Sequence, residues 1–329
     1  MHKVFSMKEL GFLNYFLGIS VHTSAAGFFL HQSKYATEIL AKAGMSHCKP
    51  YASPMATKSS SFPDSDLPFA QPALYRSIVG ALQYLTITRP DIAFAVNSAC
   101  QHMHAPLVSH FHAVKRLLRY LKGTLDKGLQ FQPGPLVLTA YSDSDWAGNA
   151  IDRRSTTGFC IFLGPNLVSW SAKKQPTVSR SSTEAEYHAL AQTSAELSWL
   201  GMLLRDLHIP LAPPTLWCDN LSAIALSSNP VFHARSKHIE VDYHFVRERV
   251  ASKQWLIKHL ATTDQIADIL TKPLSVSRFH FLQHKLLAHS SPISLTGNVK
   301  QPQLQTSTSI LQKQLHQHDQ TNSTSSEVS

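Results

Sequence analysis

The stretch from residue 136 to residue 174, LVLTAYSDSDWAGNAIDRRSTTGFCIFLGPNLVSWSAKK, decides the fold because it contains three strand-like segments in succession. The segments LVLTAYSDSDW, TTGFCIFLG and LVSWSAKK are rich in β-branched and aromatic residues, which favour strands. A long helix is predicted after them, STEAEYHALAQTSAELSWLGMLLRDL, opened by Ser182 or Thr183 and carrying carboxylates in its first turn. Strands that run into a helix in this order predict a mixed sheet with helices packed on it.

The residues after this helix continue the same pattern. We predict a strand at TLWCDN, a short helix, a helix at HIEVDYHFVRERVA, a strand at WLIKHL and a last helix at DQIADILT. With the three preceding strands this makes a five-stranded sheet, so the predicted fold class is α/β. Residues 288–329 are rich in Ser, Thr and Gln, which predicts a disordered tail.

The first part of the chain is mostly helical in pattern. Alternation in YFLGISVH and FFLHQ, after a short helix or turn, predicts a hairpin, and SKYATEILAKAGM predicts a helix from Ser33 to Gly44. Residues 49–72 are rich in Pro and Ser and are expected to form an exposed connector. The segments YRSIVGALQYLTIT, PDIAFAVNSACQHM and SHFHAVKRLLRYLKGT predict three amphipathic helices. A change of composition near Pro133–Pro135 marks a candidate domain boundary.

The charge balance of the chain favours a polyanionic partner. Lys and Arg number 30 against 21 Asp and Glu, and the pI is near 9.4, which suits nucleic acid. The four cysteines form no C-x-x-C pair, which argues against a disulfide framework and a Cys-rich zinc site. Neither a secretory signal nor an apolar span of ~20 residues is found, so we expect an intracellular protein, cytoplasmic or nuclear, without membrane contact.

Several carboxylates lie where they could hold metal ions. Phosphodiester cleavage without a protein nucleophile uses two divalent cations about 4 Å apart, and hard cations prefer carboxylate oxygens. Asp143 lies in the first strand, Asp219 ends the strand TLWCDN, and Asp268 belongs to the last helix. The long helix offers Glu184 and Glu186. An acid inside an apolar strand is costly unless a metal, a cation or hydrogen bonds compensate it.

Each of these acids also has a purely structural interpretation. Asp219 could cap the helix that begins at Asn220–Leu221. Glu184 and Glu186 could only complement the helix dipole, and Asp268 could be a solvated helix residue. The joint occurrence of all of them in this order of elements favours the metal-dependent nuclease.

The same segments resemble the RNase H domain in the Pol polyprotein of copia-type LTR retrotransposons. The resemblance is carried by YSDSDWAG, DRRSTTGFCIFLG, LVSWSAKKQPTVSRSSTEAEYHAL, LWCDNLSAI, KHIEVDYHFVRE and QIADILTKPL. It implies an RNase H-like mixed five-stranded sheet flanked by helices, and cleavage of the RNA strand of RNA–DNA hybrids. It also implies two Mg²⁺ ions, with Mn²⁺ as an alternative, held by Asp143, Glu186, Asp219 and Asp268.

Two of these assignments have rivals in the sequence. Asp145 shares a strand face with Asp143, and the tyrosine two residues before the acid favours Asp143 by resemblance. Glu186 is preferred over Glu184 because E-Y-x-A-L resembles the acidic helix of related RNases H. Asp242 is a further rival in a segment with a packing pattern. Retroviral relatives use a mobile histidine before the last acid, and His259 is the corresponding accessory candidate here.

Earlier segments resemble the end of the copia-type reverse transcriptase. They are LGFLNYFLGI, GFFLHQSKYATEIL, YRSIVGALQYLTITRPDIAFAV and HFHAVKRLLRYLKGT. The family carries an adjacent Asp–Asp pair in its polymerase site and this chain has none, so we expect no DNA synthesis by this chain alone. The implied domains are a palm remnant with a hairpin at 1–48, a linker at 49–72, a helical thumb and connection remnant at 73–132, an RNase H-like domain at 133–287 and a tail at 288–329.

The helical remnant could still bind the substrate. Lys115, Arg116, Arg119 and Lys122 recur at helical spacing and predict a basic edge for nucleic-acid phosphates, although a solvated basic face fits the pattern equally well. Two other functions compete with the nuclease: a catalytically inactive nucleic-acid-binding relic of the same Pol polyprotein, and a DDE-type integrase. The order Asp, Glu, Asp, Asp disfavours the integrase class, which ends in a helical Glu. Remaining Pol or Gag components are further candidate partners.

Overall fold

The computed structural model describes residues 11, 13–57, 63–228 and 240–289. The strands are β1 (Tyr15–Phe16), β2 (Ile19–Ser24), β3 (Gly27–His31), β4 (Lys127–Phe131), β5 (Leu138–Asp145), β6 (Thr156–Leu163), β7 (Asn166–Lys174), β8 (Thr215–Cys218), β9 (Leu256–His259) and β10 (Ala288–His289). The α-helices are α1 (Ser33–Lys42), α2 (Pro72–Leu85), α3 (Ala93–Cys100), α4 (Val108–Lys122), α5 (Ser182–Asp206), α6 (Leu221–Ser228), α7 (Glu240–Ala251) and α8 (Val276–Leu286). Short 3₁₀ turns lie at Pro90–Ile92, Thr262–Asp264 and Ile266–Leu270.

The main sheet has five strands in the order β7-β6-β5-β8-β9. Strands β5, β6 and β7 pair antiparallel, whereas β8 pairs parallel with both β5 and β9. The parallel strands need crossover connections, and α5 and the α6–α7 segment provide them. This mixed sheet confirms the predicted α/β, RNase H-like fold class.

Both faces of this sheet are covered. On one face β5 and β6 contribute Leu138, Ala140, Phe159 and Ile161, which pack with the apolar side of α5. On the other face Cys160 packs into a second core that contains residues of α1, α2, α3, α4 and α8. Alternate residues of β6 therefore face different cores, as the two-residue period of a strand requires. The helical first part and the sheet share a core across the predicted boundary at 132/133; the predicted domain limits stay a prediction.

A smaller sheet connects the two ends of the described chain. Its order is β1-β2-β3-β4-β10. The segment YFLGISVH, predicted as one strand, is divided into β1 and β2 by a turn in which Leu17 and Gly18 have positive φ. Ala288 and His289, which the prediction placed in the tail, form β10 against β4. The tail from residue 290 onward and residues 1–10, where the short helix or turn before the hairpin was expected, lie outside the described residues.

A buried polar network joins the helical part to α8. The Arg89 guanidinium donates to both carboxylate oxygens of Asp91 and to the backbone and side-chain oxygens of Thr124. The hydroxyl of Tyr120 and the side-chain amide of Gln283 also donate to Asp91. Because Gln283 belongs to α8 and Tyr120 to α4, one carboxylate holds these two helices and the turn at Pro90–Ile92 together.

Two predicted helices differ in detail from the structure. The long helix begins at Ser182, as predicted, but its N-cap is Ser181, whose side chain accepts from the Glu184 amide. The predicted helix DQIADILT is two 3₁₀ turns separated by Gln265, whose backbone is extended. The buried Gln265 side chain donates to the carbonyl of Ser142 in β5 and accepts from the Ala267 amide, which fixes this break. Among the described helices, none has the length and apolar content needed to cross a membrane.

Candidate metal-binding site

Asp143 lies near the end of β5 and is almost fully buried, at 2% exposure. The Thr271 hydroxyl donates to its Oδ2, and the Lys272 ammonium lies 3.3 Å from the same oxygen. Burial raises the pKa of Asp143 to about 6; the Lys272 charge opposes the shift, and Asp268 adds to it. A carboxylate in this position is expensive to ionise without a further cation, which is typical of a metal ligand.

Asp268 lies in the 3₁₀ turn Ile266–Leu270 and faces the same cation. Its Oδ1 is 2.8 Å from the Lys272 ammonium, and its Oδ2 accepts from the Arg278 guanidinium at 3.1 Å. The turn is held against β5 by the hydrogen bond from Gln265 to Ser142. The last acid of the predicted set therefore meets the first through the lysine between them.

Glu186 and Asp219 form the other part of the site. One carboxylate oxygen of each and the Cys218 sulfur lie within 4.8 Å of one another. Glu186 comes from the first turns of α5, and its Oε1 accepts from the Ser144 amide of β5 at 3.2 Å. Burial, followed by the charges of Asp143 and Asp219, raises the pKa of Glu186 well above its usual value. The structure therefore brings the four predicted acids together near the ends of β5 and β8, Asp143 and Asp268 around Lys272 and Glu186 beside Asp219.

Asp219 does not cap α6, which was its purely structural interpretation. The cap of α6 is Asn220, whose Oδ1 accepts from the Ala223 amide at 3.0 Å. Asp219 instead accepts a hydrogen bond from the Thr262 hydroxyl at 3.0 Å. Its carboxylate is thus directed across to the loop that carries Asp268 and not back onto its own helix.

The rival acids have other partners. Asp145 accepts from the Thr156 amide, and burial raises its pKa to about 7. Glu184 accepts from the Arg180 amide at 3.0 Å, at the start of α5. Asp242 lies 2.6 Å from Nδ1 of His188. Asp143 shares Lys272 with Asp268, and Glu186 lies beside Asp219. The hydrogen bonds of Asp145 and Glu184 go instead to the amides of Thr156 and Arg180.

The remaining predicted residues lie outside this cluster. His259 is exposed at the end of β9, and pairs with Cys218 in the parallel ladder. Arg116 and Arg119 stack on the Tyr51 ring, with guanidinium carbons 4.2 and 4.6 Å from its centroid.

The predicted basic edge is therefore partly used inside the protein. Arg116 also donates to the Ser53 hydroxyl and Arg119 to the Lys49 carbonyl. These bonds hold the predicted connector, in which Ser53 is buried and not exposed. Lys115 is exposed and Lys122 is half-buried on the same helix.

The donor set fits a hard divalent cation. Carboxylate oxygens are the ligands that Mg²⁺ and Mn²⁺ prefer. Oδ1 of Asp268 is buried, and the positive charge that compensates it is the Lys272 ammonium, 2.8 Å away. Burial raises the pKa of the Cys218 thiol, and sulfur is a soft ligand that Mg²⁺ does not prefer.

The non-acidic residues that contact these acids, among them Thr271 and Lys272, were not predicted from the sequence. Lys272 and Thr271 directly follow the last acidic turn in QIADILTKPL. The spacing of four between Asp268 and Lys272 is that of a helical ion pair and could have suggested their contact. The contact of both residues with Asp143 depends on tertiary packing, which no local pattern reports.

Sequence comparison matches the start of the chain to a polymerase family and most of its length to transposon polyproteins. Residues 1–57 match the family of reverse transcriptases, RNA-dependent DNA polymerases. The retrovirus-related Pol polyprotein from transposon RE2 of Arabidopsis thaliana is 48% identical over 295 residues, covering 89% of this chain and 20% of that protein. An uncharacterized mitochondrial protein of Arabidopsis thaliana is 56% identical over 200 residues, covering 60% of this chain and 83% of that protein. The chain thus spans about a fifth of the transposon polyprotein that it matches.

Among solved structures, this chain is similar to LC11-RNase H1, isolated from compost by a metagenomic approach. The match covers 41% of this chain and 93% of that chain, with 17% sequence identity and a TM-score of 0.32.

Proposed function

Because the chain belongs to the copia-type family of retrovirus-related transposon Pol polyproteins, we propose that its RNase H-type domain hydrolyses the RNA strand of RNA–DNA hybrids. The observation that carries the proposal is the meeting of Asp143, Glu186, Asp219 and Asp268 at one end of the main sheet. They come from four different elements, so their convergence is a property of the fold. A structural role for one acid does not explain why the charges of neighbouring acids raise the pKa values of Asp143 and Glu186, or why Asp143 and Asp268 share one lysine.

The proposed chemistry is metal-assisted phosphodiester hydrolysis. Divalent cations bound by the four carboxylates would activate water and stabilise the departing 3′ oxygen. Asp143 and Glu186 are held rigidly for this, because β5 and the start of α5 are bonded through the Ser144 amide. Asp219 and Asp268 are positioned by Thr262 and by Lys272 and Arg278, respectively.

The substrate is proposed to be an RNA–DNA hybrid because RNA can be distinguished by its 2′-hydroxyls. Lys115 and Lys122 of α4 are proposed to contact phosphates, which position a duplex without reading its sequence. His259, exposed beside the strand that ends in Cys218, is proposed as an accessory group for product release. DNA synthesis is not proposed for this chain alone, because it has no adjacent Asp–Asp pair to hold polymerase metals.

Cleavage of a labelled hybrid tests the proposal. The full chain is incubated with Mg²⁺ and a hybrid that is labelled on either the RNA or the DNA strand, with a chelator as the control. We expect cuts in the RNA strand only, none with chelator, and a loss of at least about 100-fold in rate for Asp219→Asn. Asp206→Asn is the matched control, because Asp206 is exposed at the opposite end of α5, about 30 Å from Glu186.

The same experiment separates the nuclease from its rival. If the folded protein binds hybrid but does not cut it with Mg²⁺ or Mn²⁺, the chain is a nucleic-acid-binding relic. Undiminished cleavage by Asp219→Asn would also contradict the proposed site, because the cutting would then come from another group or a contaminant.

A further inference from the structure

Lys272 brings a positive charge into contact with two of the four acids of the site and not with the other two. Its ammonium lies between two carboxylates, 2.8 Å from Asp268 and 3.3 Å from Asp143. The Arg278 guanidinium lies 3.1 Å from the second oxygen of Asp268. Asp143 and Asp268 are 2% and 7% exposed at their side chains, so water screens these pairs poorly.

The other two acids of the site are not neutralised in this way. Within the segments that the structure describes, neither Glu186 nor Asp219 forms an ion pair with a basic side chain. Their polar neighbours include the Cys218 sulfur, the Ser144 amide for Glu186 and the Thr262 hydroxyl for Asp219. The positive charge that the described residues supply to the site is therefore concentrated between Asp143 and Asp268.

We propose that the Lys272 ammonium occupies the position between Asp143 and Asp268 that a divalent cation takes, and that it must move away before the cation binds there. This inference rests on the proposed function, because only a metal-using site gives the ammonium a cation to exchange with. Mg²⁺ lies about 2.0–2.1 Å from its carboxylate ligands. A cation at that distance from both acids cannot coexist with an ammonium that already contacts both.

The lysine side chain is able to make this exchange. It is 35% exposed, whereas the acids it contacts are buried, so its end can turn towards solvent without moving the backbone. A lysine stem is flexible and its ammonium is strongly hydrated. In the metal-free protein the Lys272 ammonium compensates part of the charge of Asp143 and Asp268. Lys272 is therefore a positioning residue: it stabilises the metal-free site, and it competes with the metal ion.

Replacement of Lys272 by methionine tests the exchange, because Lys272→Met keeps an unbranched side chain and removes the charge. Mn²⁺ binding to the full chain is measured by calorimetry without nucleic acid, and thermal unfolding is measured with chelator and with Mn²⁺. We expect at least about tenfold tighter Mn²⁺ binding, since a repelling charge has left the site. We also expect a lower melting temperature in chelator, which Mn²⁺ restores.

Two controls make the result specific. Lys174→Met removes a lysine from an ion pair with Asp152, outside the acidic site, and should leave Mn²⁺ affinity unchanged. Adding Asp268→Asn to Lys272→Met should abolish the gain in affinity. If Lys272→Met fails to fold, Lys272→Gln, which is also uncharged, is measured in the same way.

Unchanged or weaker Mn²⁺ binding by a folded uncharged variant overturns the proposal. That failure is distinguishable from failure of the nuclease. If the native chain cuts hybrid but Lys272→Met binds Mn²⁺ no more tightly, the proposed function stands and the exchange is excluded. If the native chain does not cut hybrid but Lys272→Met binds Mn²⁺ more tightly, the exchange stands and the proposed activity is excluded.

Discussion

Gly158 of β6 lies directly opposite Asp143 of β5 in the antiparallel ladder. A Cβ atom at Gly158 would lie 2.5 Å from Cγ2 of Thr271 and 2.9 Å from Cβ of Leu270. The absence of a side chain there lets the segment that follows the turn Ile266–Leu270 rest on the sheet. Because this segment carries Thr271 and Lys272, the close approach brings both to Asp143.

Gly158→Ala should therefore push the turn away from Asp143. Overpacking of this kind costs about 1–3 kcal/mol in free energy of unfolding, and we expect Mn²⁺ affinity and hybrid cleavage to fall together. Urea unfolding, calorimetry and the cleavage assay measure the three effects.

Gly201→Ala is the matched control for this substitution. Gly201 lies in α5, and a Cβ atom there meets no heavy atom within 4 Å. Alanine is favoured over glycine in a helix by about 0.5–1 kcal/mol, so this variant should be slightly more stable and equally active. Equal metal affinity in the Gly158→Ala and native chains would show that the close approach does not position the site.

The four acids could be predicted from the sequence because each lies on an element with a clear local pattern. Asp143 follows apolar strand residues, Asp219 ends a short strand, and Glu186 lies in the first turns of a long helix. The order of elements suggested that these acids converge, and the choice of Glu186 over Glu184 came from the family resemblance. The helical prediction around Asp268 was wrong in type because the buried Gln265 side chain bonds to another element and interrupts the helix.

A second prediction concerns the pH dependence of stability in the metal-free protein. Burial raises the pKa of Asp143 to about 6, of Asp145 to about 7, and that of Glu186 well above its usual value. An acid whose pKa is raised by folding contributes stability fully below its unfolded pKa, near 4, and loses it as the pH rises through the folded value. With chelator present, these acids should make the protein less stable as the pH rises from about 4 to about 7.

The size of this effect follows from the shift at Asp143. A change from 3.8 to about 6 corresponds to on the order of 2–3 kcal/mol, so Asp143→Asn should flatten the pH dependence by that amount. His31, His102 and His110 have lowered pKa values and act in the opposite direction, so the native and variant curves must be compared with each other. Urea unfolding at several pH values measures the difference; parallel curves would contradict the assignment. Mg²⁺ should remove most of the loss at high pH.

The basic residues of α4 show what a local pattern leaves out. Helical spacing predicted one basic edge, and it gave no means of separating residues that face solvent from those with partners. Tyr51 and Ser53 lie far from α4 in sequence, yet they take Arg116 and Arg119 as packing partners. Only the tertiary structure assigns these two arginines to the connector.

A third prediction uses this difference between the lysines and the arginines. The double variant Lys115→Ala, Lys122→Ala should weaken hybrid binding and reduce the slope of log affinity against log salt by about 2, with little change in melting temperature. Arg119→Ala should mainly lower the melting temperature, because it removes the stacking on Tyr51 and the bond to the Lys49 carbonyl. Affinity measured at several salt concentrations, with thermal unfolding in parallel, separates the two; a salt slope unchanged by the lysine variant would exclude them from the interface.

The last prediction concerns Asp91, the carboxylate at the centre of the buried network. It accepts from Arg89, Tyr120 and Gln283, and the Arg89 guanidinium holds its pKa below the usual value against the effect of burial. Asp91→Ala would leave a buried guanidinium without its partner, so we expect a loss of about 3–5 kcal/mol in free energy of unfolding. Asp152→Ala, which breaks an exposed ion pair with Lys174, should cause no measurable loss.

The consequence of Asp91→Ala should extend to the acidic site, because Gln283 and Arg278 belong to the same helix, α8. When Gln283 loses its bond to Asp91 and keeps only the one to the Tyr120 hydroxyl, α8 is less firmly held against α4 and the turn at Pro90–Ile92, and Arg278 is less firmly held against Asp268. Mn²⁺ affinity should therefore fall in Asp91→Ala at temperatures where the variant is still folded. A destabilised variant with native metal affinity would show that α8 is positioned by its apolar contacts alone.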